Sequence, residues 1–135
     1  MNSPTRTSQI LAAMVAIFLT TMSAQAAGKA HPVSTAVQVL SLRSAYSTLA
    51  SANHNYGNHR ALAMQAIAEA CSILGSNVSG DGKGGEWQFF SDFQLHQAQA
   101  TIQLVRVGIP KGQQPRIASL LDTAINEINL ALKVH

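Results

Sequence analysis

Residues 116–133 read RIASLLDTAINEINLALK, and their spacing decides the fold. Apolar side chains fall at Ile117, Leu120, Leu121, Ala124, Ile125, Ile128, Ala131 and Leu132, in steps of one, three and four. A helix turns once in 3.6 residues, so these side chains share one face, and Ser119, Asp122, Asn126 and Lys133 take the opposite one. Pro115 stands just ahead and suits a first helical turn, where its missing N–H leaves no bond unmade.

The same spacing recurs three times upstream. Over residues 33–52 the stripe is Val33, Ala36, Val39, Leu42, Ala45, Leu49 and Ala52. Over residues 59–74 it is Ala63, Met64, Ile67, Ala70, Cys71 and Leu74. Over residues 92–107 it is Leu95, Ala98, Ile102 and Val105. No segment sustains the two-residue alternation of a strand. The expected fold is all-α: a four-helix bundle built from two antiparallel helical hairpins, residues 33–74 and 87–133. A hairpin alone leaves its stripe in water, so the two are expected to pack together in a single domain, residues 27–135.

Local chemistry marks the helix ends. Ser91 and Gln94 have the spacing of a capping box, with Phe90 and Leu95 placed to staple it. Gly108, expected in the left-handed conformation, and Pro110 end the third helix. Gly57 and Asn58 stop the first helix and restart the second. Residues 75–86, GSNVSGDGKGGE, read as a flexible linker. Asn77, Ser79, Asp81 and Gly82 echo a calcium loop, but Gln88 stands where a bidentate Glu is needed. A shift of 54 residues lays Ile67 on Leu121 and Ala70 on Ala124, and a shift of 53 lays Leu42 on Leu95 and Leu49 on Ile102. These near-equal shifts read as an internal repeat.

The N-terminus has a different composition. Arg6 precedes the apolar run ILAAMVAIFL, residues 10–19, and Ala24-Gln25-Ala26 offers small residues at a cleavage site. This order is that of a secretory signal peptide, residues 1–26, with cleavage after Ala26. Ten apolar residues fall short of the ~20 that span a bilayer. The expected location is therefore secreted or periplasmic, with no membrane segment left after cleavage.

Composition excludes several classes. There is one cysteine, so neither an intrachain disulfide nor a thiolate zinc site can form. Cys71 falls in an apolar stripe and reads as a buried, inert thiol. Nine basic against six acidic residues give +3 with no basic run, which is no nucleic-acid footprint. The sequence holds no G-x-S-x-G, no H-E-x-x-H, no nucleotide loop and no E-x-x-H pair. No catalytic residue, resident metal or cofactor is assigned, and the chain is not expected to be an enzyme.

Two stretches remain for function. Residues 53–60, NHNYGNHR, crowd two histidines, a tyrosine and an arginine into one helix connection. His54 and His59 could both ligate a transition metal or contribute to a ligand site. The structural alternative has Tyr56, Gly57 and His59 closing the end of the core. Arg60 would then bond an acid such as Asp122 or Glu127, or the carbonyls of another helix. Residues 86–93, EWQFFSDF, hold Trp87, Phe89, Phe90 and Phe93, four of the six aromatics beyond residue 26. They are expected to pack across the end of the bundle; the other reading is an exposed patch that anchors a partner.

Leu49, Ala52, Tyr56, Gly57, His59, Arg60 and Ala63 resemble a repeat of small secreted bacterial helical-hairpin proteins of unknown function. Its pattern is roughly L-x-x-A-x-x-[D]-[FY]-G-G-H-R-x-x-A, in one or two copies. This chain has Asn55 and Asn58 where the pattern has Asp and Gly, and its second copy, residues 111–116, lacks the His. The resemblance implies helical hairpins and brings no activity. The expected role is a structural or protein-interaction module, its partner protein and oligomeric state unspecified. The alternative is a metal- or small-ligand-binding bundle using the 53–60 turn.

Overall fold

The computed structural model describes residues 32–52, 56–79 and 88–134, without the side chains of residues 88 and 89. The signal-peptide segment 1–26, His54, Asp81, Gly82, Trp87 and the Phe89 side chain therefore lie outside the described residues. What is described contains four α-helices and no strand. These are α1 (Thr35–Ser51), α2 (His59–Ile73), α3 (Gln88–Val107) and α4 (Pro115–Ala131). A single 3-10 turn, Tyr56–Asn58, leads into α2.

One core lies between the four helices. Leu42, Ala45 and Leu49 enter it from α1, Ala63, Ile67, Ala70 and Cys71 from α2, Leu95, Ala98, Ile102 and Val105 from α3, and Ile117, Leu121, Ala124 and Ile128 from α4. The many alanines favour helix and leave little side-chain bulk between neighbouring backbones. The expected stripes of α2, α3 and α4 supply these residues. On α1 the register differs at the N-terminal end: Gln38 is buried, whereas Ala36 is exposed. Positions 38, 42, 45 and 49 follow the helical period more closely than 36, 39 and 42. Gln38 Nε2 donates to the Val33 carbonyl at 3.0 Å, which offsets part of the burial cost, while its Oε1 is buried without a partner.

Polar contacts fix the directions of the helices. Val33 N donates to Gly108 O, joining the start of α1 to the end of α3, while Tyr56, just past α1, reaches Asp92 at the start of α3. These two helices are antiparallel. Arg116 at the start of α4 meets Glu69 late in α2, and His59 at the start of α2 meets Glu127 late in α4. That pair is antiparallel as well. Gln99 to Asn129 and Arg106 to Asp122 tie α3 to α4. The most extensive packing is between α1 and α3 and between α2 and α4, more than between α1 and α2 or between α3 and α4.

These directions leave the end of α2 and the start of α3 at opposite ends of the helical core. The connection between them therefore begins by running along the core rather than hanging free. Ser79, Val78 and Asn77 lie over Arg43, Tyr46, Ser47 and Ala50 of α1, and Val78 packs on the core. Val78 is the half-buried member of this first part of the glycine-rich stretch, with Asn77 and Ser79 exposed on either side of it; residues 80–87 lie outside the described residues.

Two helix ends differ from expectation. α3 starts at Gln88, so Ser91 lies inside its first turn and is fully buried instead of capping it. The staple is not formed either, since Phe90 is 54% exposed while Leu95 is buried. Gly108 does end α3, but its φ is not left-handed. What it supplies is room: a Cβ there would collide with the Val33 side chain. A cap that the spacing did not suggest opens α1, where Ser34 Oγ accepts from Val37 N.

Candidate functional site

The turn entering α2 is built on unusual backbone. Tyr56, Gly57 and Asn58 have successive positive φ values of 43°, 59° and 75°. Left-handed backbone disfavours a side chain, so Gly57 suits its position, and Asn tolerates the region better than most residues. Tyr56 is the costly member, and it is held by what its side chain does.

Tyr56 is buried, and its hydroxyl donates to Asp92 Oδ1 at 2.6 Å. Burial, reinforced by that hydrogen bond to a carboxylate, pushes the phenol far above its ordinary value of 10.0. His59 Nδ1 lies 2.7 Å from Glu127 Oε2, the nitrogen acting as donor because a carboxylate only accepts. Arg60 Nη1 donates to the Leu49 carbonyl at 2.9 Å and lies 3.8 Å from the Met64 sulfur. Burial lowers the Arg60 guanidinium pKa from its ordinary value. The C-terminal Val134 side chain comes up beside Gly57.

Three neighbouring side chains of one turn thus reach three different helices: Tyr56 holds α3, His59 holds α4 and Arg60 holds the end of α1. Of the partners weighed for Arg60, the helix carbonyl is the one observed. Glu127 instead takes His59, and Asp122 takes Arg106 through two bonds of 2.8 and 3.1 Å. Spacing pointed to the turn, but Asp92 as its acceptor could not be found, because it lies 36 residues away.

The opposite end of the α2–α4 pair carries a matching contact, Arg116 Nη2 to Glu69 Oε1 at 2.8 Å. Exposure separates the two. The His59 and Glu127 side chains are 28% and 16% exposed, against 74% and 45% for Arg116 and Glu69. Solvent screens the latter pair to little net worth.

Among the described residues, no three His, Cys, Asp or Glu side chains stand close enough to hold a metal ion. Cys71, fully buried, has its thiol pushed above the ordinary value by desolvation. No described helix is long and apolar enough to cross a membrane.

Of the aromatic stretch, the side chains of Phe90 and Phe93 are described, and neither belongs to the core. Phe90 and Phe93 point to solvent, 54% and 64% exposed. Leu104 and Val107, farther along α3, are 74% and 83% exposed. The series 90, 93, 97, 100, 104, 107 runs in alternating steps of three and four and is apolar at every position but Gln97; in the sequence it was masked by the stronger inner stripe.

Protein-family models, curated proteins and solved structures were all compared with this chain, and none matched.

Proposed function

We propose that the chain is an exported, non-catalytic four-helix bundle of two hairpins, acting as a structural or protein-interaction module. The observation that carries this is the use made of the 56–60 turn. Its hydroxyl, imidazole and guanidinium groups each bond another part of the fold, the geometry of a fastening. The exposed apolar face of α3 supports the interaction half of the proposal. Export rests on the order of residues 1–26, a charged start, an apolar run and small residues before the cut.

The test is a thermal melt of tag-free protein with and without Zn²⁺, Ni²⁺ or Cu²⁺, alongside His59→Ala. The module predicts no metal-dependent rise in the midpoint and a lower midpoint for the variant. A rise of several degrees that His59→Ala removes would overturn the proposal in favour of a metal-binding bundle. Mass analysis of the exported chain checks cleavage after Ala26.

A further inference from the structure

α3 is apolar on two faces. The inner series, Leu95, Ala98, Ile102 and Val105, is in the core. The outer series is Phe90, Phe93, Gln97, Ala100, Leu104 and Val107, and every member is exposed. Alternating steps of three and four are the period that two helices share when they pack along their length. Every helix face has this spacing; what a solvated face does not need is apolar residues at five of the six positions.

The outer series has two properties that specify its occupant. It carries no Lys, Arg, Asp or Glu; the acid and base of α3, Asp92 and Arg106, are engaged by Tyr56 and Asp122. A partner selected by charge finds nothing to pair with, and two copies meet without like-charge repulsion. The series is also self-complementary when reversed. About a two-fold axis between residues 98 and 99, Phe90 faces Val107, Phe93 faces Leu104 and Gln97 faces Ala100. Each pairing occurs twice, as a two-fold interface requires, and each sets a longer side chain against a shorter or differently branched one. Phe90, Phe93, Leu104 and Val107, 54%, 64%, 74% and 83% exposed, offer roughly 500 Å² of apolar surface per copy, taking about 150–200 Å² for each such side chain when free. That is below the ~800 Å² per partner of a standard interface and in the range of weak association.

We infer that the outer face of α3 is the docking surface for a second copy of this chain, joined as an antiparallel helix pair. This rests on the interaction-module proposal and names its partner. The dimer is weak and forms only at high concentration, because the apolar area is below that of stable interfaces.

Sedimentation of tag-free protein, residues 27–135, across a hundredfold range of concentration reads the association directly. The expected result is a shift from monomer to dimer as concentration rises. Phe93→Glu and Leu104→Glu each move it to at least tenfold higher concentration. Both sites are exposed, so an unchanged far-ultraviolet spectrum and melt of the dilute variants show that the fold is kept. Register is read by disulfide trapping in a Cys71→Ala background. Gln97→Cys mixed with Ala100→Cys should cross-link, whereas Leu104→Cys alone should not, its two copies lying too far apart. Monomer at every concentration, a dimer indifferent to both glutamates, or efficient cross-linking through Leu104→Cys overturns the inference. Monomeric protein that also takes no metal removes the dimer and leaves the module standing. A metal-dependent melt lost in His59→Ala removes the module, whatever the oligomeric state.

Discussion

Tyr56 Oη and Asp92 Oδ1 lie 2.6 Å apart, so the connection between α1 and α2 is bonded to the first turn of α3. The two halves of the chain are thereby joined at the same end of the core where Tyr56 holds left-handed backbone. Removing the hydroxyl leaves a half-buried carboxylate without that donor. Tyr56→Phe is expected to destabilise by about 1.5–3 kcal/mol, the range for a hydrogen bond to a charged group. Asp92→Asn is expected to have a smaller effect, and the double variant less than the sum. Urea unfolding of the four proteins checks this, and additive effects would show that the bond contributes nothing.

Arg60 bonds the Leu49 carbonyl near the end of α1, an oxygen that also accepts from Ala52 N at 3.3 Å. Arg60→Ala is expected to lower stability by about 1–3 kcal/mol. Arg60→Lys should recover part of that, since a lysine keeps a charged donor but loses the planar fork. An unchanged urea midpoint in Arg60→Ala would show the turn to be no fastening.

Gly108 provides the most local test of how α1 meets α3. A Cβ at this position collides with Val33, whose branched side chain has few alternative rotamers. Gly108→Ala is expected to destabilise by about 1–3 kcal/mol through overpacking. Val33→Ala should relieve most of that penalty, giving a strongly non-additive pair. Were the two effects simply to add, the helix ends would be farther apart than observed.

Much of the fold was legible because helix periodicity is a local signal. The stripes through Ile67, Ile102 and Leu121 carry their positions relative to the core in their own spacing. α1 misled at Ala36 because a polar Gln38 takes the core position, its burial cost offset in part by a carbonyl five residues away. Ser91 misled because its capping box matches by spacing alone, while α3 extends one turn further back. The turn at Tyr56 stood out by composition, yet its bonding to Asp92 and Glu127 depends on helix directions that no local pattern encodes. The earlier start of α3 brings Phe90 into the helix, whereas Phe93, two residues or about 200° from the buried Leu95, faces away from the core wherever the helix begins.

Cys71 reports on the core without perturbing it. It is fully buried on α2, and desolvation disfavours its reactive thiolate. Ellman's reagent is expected to label native protein only at the rate of opening and denatured protein within seconds to minutes. Native labelling as fast as that of denatured protein would place Cys71 at the surface.

Alkaline pH tests the buried hydroxyl and thiol together. Tyr56 and Cys71 both have raised pKa values in the folded chain, each first through burial, with ordinary values of 10.0 and 9.0. Folding therefore favours their protonated forms. The stabilisation is fully present below the unfolded-state values and is lost as pH rises through and beyond them. The urea midpoint is expected to fall progressively above pH 9, with the thiol contributing first and the phenol from pH 10 upward. Cys71→Ala should flatten the first part of that decline and Tyr56→Phe the second, each from a lower starting stability at pH 7. The comparison uses slopes, so the loss of packing or of the Asp92 bond, present at all these pH values, does not enter it. A wild-type midpoint constant between pH 8 and 11, or variants that keep the wild-type slope, would show that neither group is shielded in the fold.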